Sequence, residues 1–262
     1  MKKRIITLVL MLTMLLSLAV LSSCEKKEKS QLDVIKAAGV LKVGVKSDVP
    51  NFGLQDTATG LYEGFEIDLA GLIAKEILGD ETKVQFTAVT AATRGPLIDT
   101  GDVDMVIATF TIKEDRKLSW NFTTPYYTDA VGLLVKTADG YTSLADLDGK
   151  KIGVATAATS QDALQTAADE IGISVTFEEF ASYPEIKAAL DSTRVDVFSV
   201  DRSILRGYLD STTTLLDDQF SPQPYGIATK LTQKEYSEYI DSLIQKWLAD
   251  GTIASLCAKY GI

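Results

Sequence analysis

The stretch VTAATRGPLIDTGDVDMVIATFTIKEDR sets two arginines, Arg94 and Arg116, on either side of one apolar strand, with the hydroxyls of Thr109 and Thr111 shortly before the second. A planar guanidinium meets a carboxylate through two parallel hydrogen bonds, so this arrangement suits a ligand that carries carboxylates. Other chemistry-bearing residues end or begin elements elsewhere: Lys46 after the run LKVGV, Thr159 in TAATSQDAL, Tyr183 before Pro184, and Asp201 closing VDVFSV. Each also has a plainer reading. Arg116 reads as an exposed helix charge beside Glu114 and Asp115, Arg94 as a solvated charge in a first helical turn, and Lys46 as an exposed strand end. Thr159 reads as an N-cap with Asp162 three residues on, close to a capping box, and Asp201 as a cap for SILRGYL. Tyr183 reads as a staple ahead of Pro184. Histidine is absent, which removes the commonest general base and metal ligand, and no metal site or cofactor is expected.

The elements that position these residues follow an N-terminal leader. Residues 1–23 comprise a basic start (Lys2, Lys3, Arg4), an apolar run and small residues before Cys24, the pattern of an export signal. The apolar run is short of the roughly 20 residues a membrane span needs. Leu21-Ser22-Ser23-Cys24 resembles a bacterial lipobox, so Cys24 is expected to become a lipidated N-terminus on a charged tether, residues 24–31. Removing the leader takes away three cations and no acids, and the formal net charge moves from -10 to -13. A surface this acidic repels nucleic acid and offers no polybasic patch to anionic lipid. Membrane attachment would rest on acyl chains, of which stable anchoring needs two or more. Cys257 is then the only free cysteine and reads as a small buried hydrophobe.

From about Leu32 strands and helices alternate. Strand patterns fall at 41–45, 83–89 and 103–110, with helical patterns at 65–78 and about 96–99 between them. The scheme repeats with strands at 151–156, 175–180 and 195–200 and helices from about 160 and at 184–190. A strand at 225–230 and helices at 233–248 and 253–260 follow. This order predicts an α/β protein with parallel sheets in two lobes.

Seven stretches in register (VGVKSDVPNFG, YEGFEIDLAGLIA, TRGPLIDTGDVDMVIATFTIKEDR, FTTPYYTDAVGLLV, SLADLDGKKIGV, RVDVFSVDRSIL and PYGIAT) resemble the solute-binding receptors of polar amino acid ABC transporters, most closely those for aspartate and glutamate. The resemblance implies the type II periplasmic-binding-protein fold, two α/β lobes, each a sheet flanked by helices, joined by two hinge strands. Lobe one is expected at 32–127 plus 228–262, lobe two at 128–227, and the ligand in the cleft at the carboxyl ends of the strands. It implies that Arg116 grips the α-carboxylate with help from Thr109 and Thr111, that Thr159 and the helix start behind it add to the anion site, and that Asp201 binds the α-ammonium. Lys46 stands where receptors for cationic amino acids carry an acid, and would repel such ligands. Arg94 and Tyr183 match residues directed at a distal carboxylate. Two departures stand out. Ala157-Ala158 replaces a common glycine-threonine pair, and Val49 occupies the place of a covering aromatic, with Phe52 three residues later. The implied partners are a membrane permease and its ATPase, the implied location is extracytoplasmic at the cell membrane, and the habit is monomeric. Alternatives are a glutamine or other polar amino acid receptor, an exported enzyme like cyclohexadienyl dehydratase recruiting Glu63 or Glu179, and a surface adhesin or sensor.

Overall fold

A computed structural model describes residues 29–262; the leader, the lipobox and Cys24 lie outside the described residues. The first element among the described residues is a helix that the apolar pattern did not announce, α1 (Gln31–Ala38), started by the Ser30 hydroxyl accepting from the Asp33 N–H and ended at left-handed Gly39. It is short and buries only Ile35 among its residues, too little for a periodic signal. Strand β1 (Leu41–Val45) follows, then three short strands, β2 (Asp48–Val49), β3 (Gly53–Gln55) and β4 (Tyr62–Glu63), paired in a small antiparallel sheet.

The first lobe continues with α2 (Phe65–Leu78), β5 (Val84–Ala88), α3 (Arg94–Thr100), β6 (Met105–Ile107), α4 (Glu114–Lys117) and β7 (Trp120–Phe122). The second holds β8 (Tyr127–Lys136), β9 (Lys151–Ala155), α5 (Ser160–Ile171), β10 (Thr176–Phe180), α6 (Tyr183–Asp191), β11 (Val197–Asp201), α7 (Arg202–Arg206), β12 (Thr213–Leu215) and β13 (Phe220–Tyr225). The chain then returns to the first lobe with β14 (Ala228–Lys230), α8 (Lys234–Ala249) and α9 (Thr252–Tyr260). One sheet has the order β5-β1-β6-β14-β7 and the other β10-β9-β11-β8-β12, with β13 also on β8. In each, three strands are parallel (β5, β1, β6 and β10, β9, β11) and the returning strands are antiparallel. The fold is a two-lobed α/β architecture.

Two strand expectations change. The run at 103–110 yields only Met105–Ile107, because Thr109 turns to a left-handed φ of 44° and ends the extended backbone. The run at 225–230 is divided: Tyr225 pairs with Tyr127 in the second sheet, and Ala228 with Val106 and Phe122 in the first. This segment crosses between the lobes. It is held against the other crossing by the Thr123 N–H donating to Ile227 O at 3.1 Å and the Tyr126 N–H to Tyr225 O at 3.0 Å. A buried apolar cluster from Val43 and Phe65 through Phe198 and Ile204 joins the two lobes beneath the cleft. Phe52 belongs to it, fully buried, with edge contacts to Phe65, Tyr127 and Tyr225. Cys257 is half-buried against the same cluster rather than enclosed.

Candidate functional site

The parallel strands deliver the chemistry-bearing residues from their carboxyl ends. Lys46 follows β1, Arg94 opens α3 after β5, and Thr109 follows β6. In the other lobe Thr159 follows β9, Tyr183 follows β10, and Asp201 is the last residue of β11. Open α/β sheets place ligands at such ends, and here two sets face each other.

On the first lobe both guanidiniums flank the Phe110 ring: Arg94 Cζ lies 4.0 Å and Arg116 Cζ 5.0 Å from its centroid. Arg94 is 3% exposed and donates through Nη1 to Ala108 O at 2.8 Å and Thr109 O at 3.0 Å, while its Nε is buried without a partner. Arg116 is half-buried and donates to Thr111 O at 2.9 Å and, across the cleft, to Ala157 O at 3.2 Å. Neither has a carboxylate within ion-pair distance among the described residues. Burial, then the charge of Arg94, pulls Arg116 down to about 10, and burial likewise lowers Arg94. Thr109 holds its strained backbone between two charged groups, its N–H donating to Glu66 Oε1 at 2.6 Å and its carbonyl accepting from Arg94, and its own Oγ1 is buried without a partner. Such strain persists only where surrounding contacts fix it, and it gathers at ligand sites.

Lys46 is 2% exposed, 3.0 Å from Asp48 Oδ1 and 4.4 Å above the Tyr183 ring centroid, and burial lowers its pKa against the pull of Asp48. Tyr183 itself is buried at the start of α6, where Ser182 and Glu185 form the capping box, and its hydroxyl is kept neutral by burial. Asp201 is buried, accepts from the Tyr225 hydroxyl and makes no cap hydrogen bond, and burial lifts its carboxyl to about 7. Thr159 occupies the N-cap position of α5 without capping it. Its hydroxyl instead donates to Gln223 Oε1 at 2.8 Å, the same atom that receives the Thr111 hydroxyl at 2.8 Å. Gln223 on β13 therefore ties the two lobes together through these hydroxyls. Ala157, where a glycine is common, takes a left-handed φ of 61°.

The lobes touch across the cleft, so this is a closed arrangement. The Tyr183 N–H reaches Asp48 Oδ2 at 3.4 Å and the Tyr208 hydroxyl donates to Asp48 O at 2.5 Å. Lys113 lies 3.6 Å from Asp162. Cavities of ≈ 480 Å³, lined by Thr111, Thr159 and Gln223, and of ≈ 410 Å³, lined by Phe110, Arg116 and Ala157, open at the lobe boundary.

The structure thus brings Lys46, Arg94, Thr109, Arg116, Tyr183 and Asp201 to the cleft, with Thr111 and Thr159 joined at Gln223. Three participants escaped sequence reading: Asp48, Gln223 and Glu66. Glu66 carried a usable signal, since Leu69, Ala70 and Ile73 stand three, four and seven residues on, which puts its carboxylate on the buried face of α2. Gln223, between two prolines, carried none. Glu63 and Glu179, the carboxylates of the enzyme alternative, are exposed.

Residues 41–262 match the bacterial extracellular solute-binding proteins, family 3. The ABC transporter glutamine-binding protein GlnH of Bacillus subtilis (strain 168) is 36% identical over 239 residues, 90% of this chain and 86% of its own. The glutamine-binding protein of Geobacillus stearothermophilus is 38% identical over 208 residues, 78% of each chain. A solved ancestral amino acid-binding protein, described as a precursor of cyclohexadienyl dehydratase, superposes with a TM-score of 0.77 at 31% identity, covering 88% of this chain and 99% of that one. With its fold, its cleft and the match along nearly all the described residues, this chain belongs to the bacterial extracellular solute-binding proteins, family 3.

Proposed function

We propose that this chain is an extracytoplasmic lipoprotein that captures an acidic amino acid, aspartate or glutamate, by closure of its two lobes and hands it to an ABC transporter permease. One observation carries the reading: Arg94 and Arg116 are packed on Phe110 with only carbonyl oxygens as partners. Burying a guanidinium without a counter-charge is costly. A dicarboxylic amino acid supplies two carboxylates, the α-carboxylate for Arg116 and the distal one for Arg94, with Lys46 and the Tyr183 hydroxyl beside it. Asp201 receives the α-ammonium from the second lobe, and Thr109 Oγ1 adds a hydrogen bond from the first. Only the closed form makes both sets of contacts, so ligand shifts the population toward it. Micromolar affinity, about 8 kcal/mol, suits capture followed by release. The acyl chains expected on Cys24 keep the receptor beside its permease.

Glutamine is the second reading, favoured by Asp48, which answers the Lys46 charge, and by the two glutamine-binding relatives. Calorimetric titration of residues 25–262, stripped of bound ligand, with aspartate, glutamate, glutamine, arginine and histidine separates them. We expect micromolar or tighter binding of aspartate or glutamate, weakened at least 100-fold by Arg116→Ala, and no heat from arginine or histidine. Heat from glutamine alone would replace the acidic reading with the second one.

A further inference from the structure

Resting on the acidic-ligand reading, we infer that Glu66, beneath the cleft floor, takes up a proton when the dicarboxylic amino acid binds, and that this proton determines which side-chain charge the site accepts. Glu66 is 0% exposed on the inner face of α2. Its Oε1 accepts the Thr109 N–H at 2.6 Å and the Tyr126 hydroxyl at 2.5 Å. Its Oε2 is buried and has no partner, leaving room for a proton on that oxygen.

The charged and titratable groups that act on Glu66 are Lys46 beyond β1, Arg94 at the head of α3, Tyr126 ahead of β8, and Tyr183 from the second lobe. The cations Lys46, Arg94 and Arg116 share the cleft with the acids Asp48, Glu66 and Asp201, and Asp115 and Asp129 face Arg116 and Asp201. A zwitterion with a neutral side chain leaves the sum of charges unchanged. Glutamate adds one negative charge close to a buried carboxylate, and a like charge there favours the protonated form of Glu66. A proton drawn from solvent onto Glu66 Oε2 offsets the added charge without breaking the Oε1 hydrogen bonds that set the Thr109 loop. Burial already lifts the Glu66 carboxyl to about 7, against the pull of Tyr126 and Thr109, and an incoming carboxylate raises it further.

Titrating glutamate into the protein at pH 8 in two buffers of different ionisation enthalpy, phosphate and Tris, counts the protons exchanged. At that pH Asp201, near 7, is mostly ionised and contributes little. The wild-type protein should take up a large fraction of a proton at pH 8, and its glutamate affinity should tighten by up to tenfold as the pH falls from 9 to 8 and level off below about 7, where Glu66 of the free protein already carries its proton. Glu66→Gln, which retains the acceptor for Thr109 and Tyr126, should abolish both effects. Tyr126→Phe removes a donor that holds Glu66 ionised, and should move the midpoint of the pH profile upward. Uptake that persists in Glu66→Gln, a midpoint unmoved in Tyr126→Phe, or no uptake in the wild-type protein while glutamate still binds, would overturn the inference and leave the acidic-ligand reading standing. Glutamine heat with no glutamate heat at pH 6 or 8 would overturn both.

Discussion

Two carboxyls and one threonine define what is unusual at the residue scale. Thr109 is β-branched and yet left-handed, a conformation that costs on the order of 1 to 3 kcal/mol; Glu66 on its N–H and Arg94 on its carbonyl hold it there. Glu66 and Asp201 are buried, and burial lifts each to about 7 from ordinary values of 4.5 and 3.8. The folded chain therefore keeps protons that the unfolded chain releases. Their stabilising contribution is complete below about pH 4 and is lost as pH rises through 7, at up to about 1.4 kcal/mol per pH unit for each group. The urea midpoint of ligand-free protein should fall between pH 5 and 8, and Glu66→Gln should flatten part of that fall. A midpoint constant across this range would show both carboxyls ionised in the folded chain.

At the element scale, the site is a set of strand ends. Arg94, Lys46, Thr109, Tyr183 and Asp201 come from different strands, and the alternation of strand and helix that places them could be read directly from the chain. The amphipathic helices were legible for the same reason: α2 and α8 bury a continuous stripe, so their sequence carries the 3.6-residue period. What was hidden depends on tertiary partners. Nothing in the run at 225–230 says that Tyr225 joins one sheet and Ala228 the other. Thr159 was legible as the residue before a helix, but its hydroxyl is claimed by Gln223, 64 residues away. The three strands β2, β3 and β4 span two or three residues each, too few for a period-two pattern. Ala157 looked like a departure from a glycine position, and the backbone there still takes the conformation a glycine would.

For the whole molecule, the proposed function rests on how closely the two lobes approach. Gly207, at the end of α7, packs on Pro50 of the other lobe so tightly that an added Cβ would stand 2.8 Å from the proline ring. Gly207→Ala should therefore prop the cleft open. With overpacking costing roughly 1 to 3 kcal/mol, ligand affinity should drop about 5- to 150-fold while the urea midpoint of ligand-free protein changes little. Unchanged affinity would show that binding does not require the closure seen here. In the proposed function the two arginines divide the ligand's carboxylates between them. The ratio of glutamate to glutamine affinity, measured in wild-type protein and in Arg94→Met, a change that removes the guanidinium but keeps most of the side chain's bulk, tests that division. A buried charge pair broken on one side costs about 2 to 5 kcal/mol, so the wild-type protein should prefer glutamate and that preference should fall at least 30-fold in the variant. A ratio that does not change on losing Arg94 would contradict it.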